Sequence, residues 1–92
     1  MEQTKQIWKY KIEVNNIVID IPKDSQILTI QVQKNTPCIW VLVNPNNEIE
    51  TRHFEVYGTG HNIYCTDSIE RKYINTFQLN DGDLVFHLFE II

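Results

Sequence analysis

Basic residues are scarce in this chain: eight Lys and Arg stand against 12 Asp and Glu, leaving a net charge of -4. A field of that sign repels a polyanion unless the cations gather on one face, so general nucleic-acid binding is disfavoured. A compact anion remains admissible, because backbone N–H groups and one or two Arg or Lys side chains hold a phosphate locally. No apolar run is long enough to cross a bilayer as a helix, and Met1-Glu2-Gln3-Thr4-Lys5-Gln6 lacks the apolar core of a signal peptide. The expectation is a soluble cytoplasmic protein with no membrane partner. Cysteine is limited to Cys38 in an apolar run and Cys65 in a polar one, which favours two free thiols in a reducing compartment over a disulfide. Repeats, low-complexity tracts, linkers and helical periodicity are all missing.

What is present points to β-structure. At 92 residues and 42% hydrophobic content the chain, 1–92, reads as a single domain, small enough that association of copies into a homo-oligomer would add burial. Trp8, Tyr10, Ile12 and Val14 alternate with Lys9, Lys11 and Glu13, the period of a strand with one buried and one wet face. Asn15-Asn16 offers a tight turn into Ile17, Ile19 and Ile21, predicting that the first two strands form a hairpin. After Pro22-Lys23-Asp24-Ser25, the residues Leu28, Ile30 and Val32 alternate with Thr29, Gln31 and Gln33 as a third strand. The run Cys38 to Val43 reads as a central strand covered on both faces, and Asn44-Pro45-Asn46-Asn47 as a hairpin connector to a fifth strand from Ile49 to Tyr57. Asn62 to Lys72 is polar and reads as a long exposed excursion. Tyr73 to Leu79, the Asp-Gly type turn Asn80 to Asp83, and Leu84 to Phe89 make a closing hairpin. Glu90-Ile91-Ile92 is apolar enough to complete a sheet edge or a subunit interface. The fold class is therefore all-β: a small antiparallel sandwich or barrel of about seven short strands joined by hairpins.

Two of the three glycines fall in Tyr57-Gly58-Thr59-Gly60-His61, where the fifth strand ends. As a plain connector, Gly58 and Gly60 would satisfy positive φ at a bend. As a ligand loop, the N–H groups of Gly58, Thr59 and Gly60 would form an anion nest, with the Thr59 hydroxyl and the His61 ring as further donors. The segment is not a Walker loop, since no Lys-Ser or Lys-Thr pair and no helix follow. Arg52 and Arg71 are the arginines near this region in sequence and would neutralise phosphate, with Lys72 beside them; Tyr57, Tyr64 and Tyr73 would stack on a base or dock a partner. His53, His61 and His87 lack ligand spacing, so no metal site is expected, and His87 inside an apolar strand reads as a histidine paired with a neighbour. His61 with Thr59, Cys65 and Asp67 has the residue types of a hydrolase without a recognisable spacing, so no residue is assigned a catalytic role and no cofactor is expected.

The pattern Ile7-Trp8-Lys9-Tyr10, Pro37-Cys38-Ile39-Trp40, Tyr57-Gly58-Thr59-Gly60-His61, Thr76-Phe77-Gln78 and Leu84 to Glu90 resembles a family of small phage and prophage proteins with no established activity. The resemblance implies a short viral accessory protein acting in a bacterial cytoplasm, a class that often works by stoichiometric binding. Three functions are carried from here. The first is a counter-defence protein that sequesters a small anionic, nucleotide-type ligand through the glycine loop, in a site that two subunits could share. The second is an inhibitor or adaptor that binds a host defence protein through a strand edge or an aromatic patch. The third is a small hydrolase.

Overall fold

The computed structural model describes residues 3–14 and 17–92. Seven strands account for most of them: β1 (Gln6–Lys11), β2 (Val18–Pro22), β3 (Gln26–Gln33), β4 (Thr36–Val43), β5 (Ile49–Gly58), β6 (Arg71–Leu79) and β7 (Leu84–Ile91). They form a three-stranded sheet in the order β1-β4-β3 and a four-stranded sheet in the order β2-β5-β7-β6, with every pairing antiparallel. Both sheets are open, so the architecture is a sandwich and not a closed barrel. No α-helix occurs among the described residues; a short 3-10 turn spans Asn80–Gly82.

The core lies between the sheets. Ile30, Ile39, Val41 and Val43 from the three-stranded sheet meet Ile21, Phe54, Phe77 and Leu88 from the four-stranded one. Full burial of a side chain such as Leu88 contributes about 1.5–3 kcal/mol. β4 and β7 each lie between two hydrogen-bonded strands, but the expected cover on both faces of β4 is corrected: among the described residues no third layer lies over the three-stranded sheet, and Trp40 and Leu42 are half-buried on its outer face.

Two expected hairpins are corrected. β1 pairs with β4 and β2 with β5, so the first two strands lie in different sheets; the Asn15-Asn16 turn falls outside the described residues. β4 and β5 likewise belong to different sheets, and Asn44 to Asn47 carries the chain between layers. Backbone dihedrals describe the hairpins that do form, although a left-handed residue is not sufficient for one: Asp24 (φ 62) lies in the β2–β3 connection, which also crosses between sheets. The connections that close hairpins use left-handed residues, Lys34 (φ 49) with Asn35 (φ 60) between β3 and β4, and Asn80 (φ 52), Asp81 (φ 54) and Gly82 (φ 93) between β6 and β7. The two-residue Lys34-Asn35 turn matches the right-handed twist of paired strands. From Asn44 to Asn47 no residue has positive φ; the Asn47 N–H donates to the Asn44 carbonyl at 3.1 Å in a turn that does not fold β5 back on β4.

Two smaller corrections follow from register. A bulge between Ile27 and Thr29 turns Ile27 toward the core and leaves Leu28 exposed, reversing the expected role of Leu28. The segment at Ile91 does not complete an edge, because β7 runs between β5 and β6 as far as Ile91. The two hairpin turns clasp one another: the Asn35 amide nitrogen donates to the Asn80 side-chain oxygen at 2.8 Å, and the Asn80 N–H donates to the Asn35 oxygen at 2.7 Å. Cys38 is buried, Cys65 is exposed, and both are free thiols.

Candidate anion-binding site

Residues 58–61 form a tight turn at the end of β5. The His61 N–H donates to the Gly58 carbonyl at 3.0 Å, and Gly60, at φ +88, occupies the position where glycine is at ease. Gly58 does not have the positive φ expected of it. It is glycine because the His61 imidazole lies against it: a Cβ there would meet His61 Cε1 at 2.7 Å. The Gly58 N–H donates to His61 Nδ1 at 3.3 Å, which assigns the proton of a neutral ring to Nε2. The Thr59 N–H donates to the Val85 carbonyl at 3.1 Å. Two of the three N–H groups expected to form an anion nest therefore have partners within the protein. The hollow beside the turn, about 330 Å³, is lined by Gly58, Thr59, His61 and Leu84 to Phe86, and also by the carboxylate residue Asp83.

The arginines are placed elsewhere. Arg52 lies six residues before Gly58 on β5, about 20 Å away along an extended strand. Its Nε and Nη2 donate to the two Glu90 carboxylate oxygens at 2.6 and 2.7 Å, and its Nη1 donates to the Ser25 carbonyl at 2.6 Å. The hydrogen bonds to Glu90 raise the Arg52 pKa above its ordinary value, against the opposing effect of burial. Arg71 opens β6 opposite Ile91, whereas Gly58 sits opposite Phe86. Arg71 Nε donates to Glu55 at 2.5 Å, and the guanidinium stands 6.0 Å from the Tyr57 ring centroid. The hydrogen bond to Glu55 raises the Arg71 pKa, while burial followed by Glu55 raises that of Tyr57.

Tyr57 and Tyr73 both pack edge-on against Phe89, at 6.0 and 5.5 Å between ring centroids, on the outer face of the four-stranded sheet. His87 completes this face: Nε2 is 2.8 Å from the Thr59 hydroxyl and Nδ1 is 2.9 Å from the Thr76 hydroxyl, which in turn is 2.6 Å from the Tyr73 hydroxyl. The three histidines do not form a ligand set. No group of three or more His, Cys, Asp or Glu among the described residues is arranged to hold a metal ion. No helix among them is long and apolar enough to cross a membrane.

A different surface carries unneutralised positive charge. β1, β3 and β4 contain no Asp or Glu, in a chain whose acidic residues outnumber its basic ones. The alternation of β1 turns Trp8 and Tyr10 inward and Lys9 and Lys11 outward, where register places them beside Trp40 and Cys38 of β4. Lys34 stands in the β3–β4 turn in a left-handed conformation that favours Asn or Gly and costs a side-chain-bearing residue about 1–2 kcal/mol. Lys9, Lys11, Lys34, Gln33, Thr36 and Cys38 line a concavity of about 570 Å³. Lys9 Nζ donates to Gln33 Oε1 at 3.0 Å, bridging over β4 from one edge strand to the other. No ion pair within 4 Å joins these lysines to a carboxylate among the described residues. Lys34 also borders a neighbouring hollow containing Asp81 and Asp83, so Lys9 and Lys11 form the centre of the site, although exposed Glu13 follows Lys11 by two residues.

This cluster was missed in the sequence because its members come from a strand and a distant turn. The readable signal was the interval from Gln26 to Val43, 18 residues with Lys34 as their one charged side chain. No curated protein and no solved structure matches the chain. A family model described as a domain of unknown function, DUF7352, matches residues 3–92. The chain belongs to the DUF7352 family.

Proposed function

We propose that the protein binds a compact, phosphate-bearing anion on the outer face of the three-stranded sheet. The observation that carries this reading is the concavity walled by Lys9, Lys11 and Lys34 on a sheet without carboxylates. Lysine is a strongly hydrated point charge with rotatable donors, suited to a phosphate whose position is fixed by more than one cation. Gln33 and Thr36 add neutral hydrogen-bonding groups. The glycine turn is the poorer site, because its donors have partners and its hollow includes Asp83. The resemblance to small phage and prophage proteins sets this binding in an infected bacterial cytoplasm, where a stoichiometric binder would sequester an anionic signal of host defence.

At 4 Å in a water-like dielectric, each lysine-phosphate pair contributes about 1 kcal/mol, or roughly fivefold in affinity. Calorimetric titration with inorganic tripolyphosphate should give binding that weakens with salt, and about fivefold weaker binding in each of Lys9→Gln and Lys11→Gln. Gly60→Val should bind as the unaltered protein does. Loss in Gly60→Val with normal binding in the lysine variants would return the site to the turn, and no binding by the unaltered protein would refute the reading.

A second reading is supported by the outer face of the other sheet. Tyr57, Phe89 and Tyr73 form a contiguous aromatic row there, with Tyr73 about half exposed, a composition suited to docking a host protein. Stoichiometric capture of one host protein, abolished by Tyr73→Ala, would favour it over the anion reading.

A further inference from the structure

We infer that the anion is a single nucleotide whose base stacks on Trp40 while its phosphates lie over Lys9 and Lys11; this rests on the anion-binding reading above. Trp40 occupies the outward position of β4 next after Cys38, two residues and about 7 Å along the strand from the wall of the concavity. Lys9 flanks it on β1. On β3 the bulge at Leu28 brings Thr29 opposite Trp40, so a short hydroxyl side chain stands there. Among the described residues, the aromatic contacts join Tyr57 with Phe89, Tyr73 with Phe89, and Phe77 with Phe86, and none involves Trp40. Trp40 is half-buried on the outer face and not covered by another ring.

The spacing of chemistry along the face matches a nucleotide: an aromatic platform, then two ammonium groups, then the amide of Gln33 and the hydroxyl of Thr36. A base on Trp40 directs its 5′ substituent along β4 toward Cys38, which lies between Lys11 and Gln31 in the register. The concavity, about 570 Å³, falls within the range of small-molecule sites. A nucleic-acid strand would need a longer basic track. Here the neighbouring hollow holds Asp81 and Asp83, and the chain's net charge is -4.

The test is calorimetric titration without divalent metal, comparing ATP, inorganic tripolyphosphate and a 12-mer of oligothymidylate. Aromatic stacking should make ATP bind about tenfold more tightly than tripolyphosphate. Trp40→Leu should remove that advantage while binding tripolyphosphate as before, which also shows that the variant is folded; Trp40→Phe should retain most of the advantage. Lys11→Gln should weaken both ligands alike. Equal affinity of the unaltered protein for ATP and tripolyphosphate would overturn the stacking inference and leave the anion site standing. Failure of both to bind would overturn both readings. Tighter binding of the oligonucleotide than of ATP, or equal loss of both phosphorylated ligands in Trp40→Leu, would also overturn the inference.

Discussion

Replacing Arg52 by leucine strands a carboxylate in the core. Glu90 is 8% exposed, and its two oxygens accept hydrogen bonds from Arg52 at 2.6 and 2.7 Å. Removing one partner of a buried pair costs about 3–5 kcal/mol, because the remaining charge keeps its desolvation cost without compensation. The Ser25 carbonyl loses its 2.6 Å bond from Arg52 in the same step, adding about 1 kcal/mol or more. The sum approaches the roughly 5–15 kcal/mol that holds a domain of this kind together. Arg52→Leu should therefore be close to unfolding, whereas Arg52→Leu/Glu90→Leu, which strands no charge, should recover about 2 kcal/mol or more. Urea denaturation followed by tryptophan fluorescence measures both. If Arg52→Leu fails to fold, folding of the double variant still decides the matter. The reasoning is refuted if Arg52→Leu lies within about 1 kcal/mol of the unaltered protein, or if the double variant is as unstable as the two single changes added together.

Asn35→Ala should cost about 2–3 kcal/mol, since it removes both bonds to Asn80 and places alanine at φ 60; a urea midpoint unchanged by this substitution would show that the clasp between the turns contributes nothing. Alkaline pH should destabilise the fold through its tyrosines. Burial raises the pKa of Tyr10 and, with Glu55, that of Tyr57 above the usual value of about 10, so the folded form holds these protons more tightly than the unfolded form. Their contribution is fully present below about pH 10 and is lost as pH rises through the higher folded-state values. Tyr10→Phe should flatten the alkaline limb of a stability-pH curve, and an unchanged limb would remove Tyr10 from the explanation.

Strand identity was legible where the chemistry is local. The apolar runs of β4 and β7 depend on neighbours along the chain, and these strands contain the predicted residues; β1 covers only the first part of its predicted alternation, ending at Lys11 and not at Val14. Pairing was less legible. Asn44-Pro45-Asn46-Asn47 has good turn residues, but turn composition does not say whether the next strand returns to the same sheet or crosses to the other. Leu28 was misplaced because a bulge adds one residue to the count without any marker such as glycine. The site was harder still. Gly58 serves a ring three residues away, and the lack of acids in β1, β3 and β4 acquires meaning only once those strands are known to share a sheet.

The position of β7 sets the order in which the protein can be built. β5 and β6 run parallel with β7 between them, so neither can take its final partner until the last strand arrives. A nascent chain arrested before Leu84 holds two open β-edges facing an empty slot, a template that any extended segment of another chain could enter. Synthesis past Glu90 also delivers the carboxylate that Arg52 awaits. β2 and β5 can pair without β7, but the slot between β5 and β6 closes late, and until then those edges are open to non-native pairing.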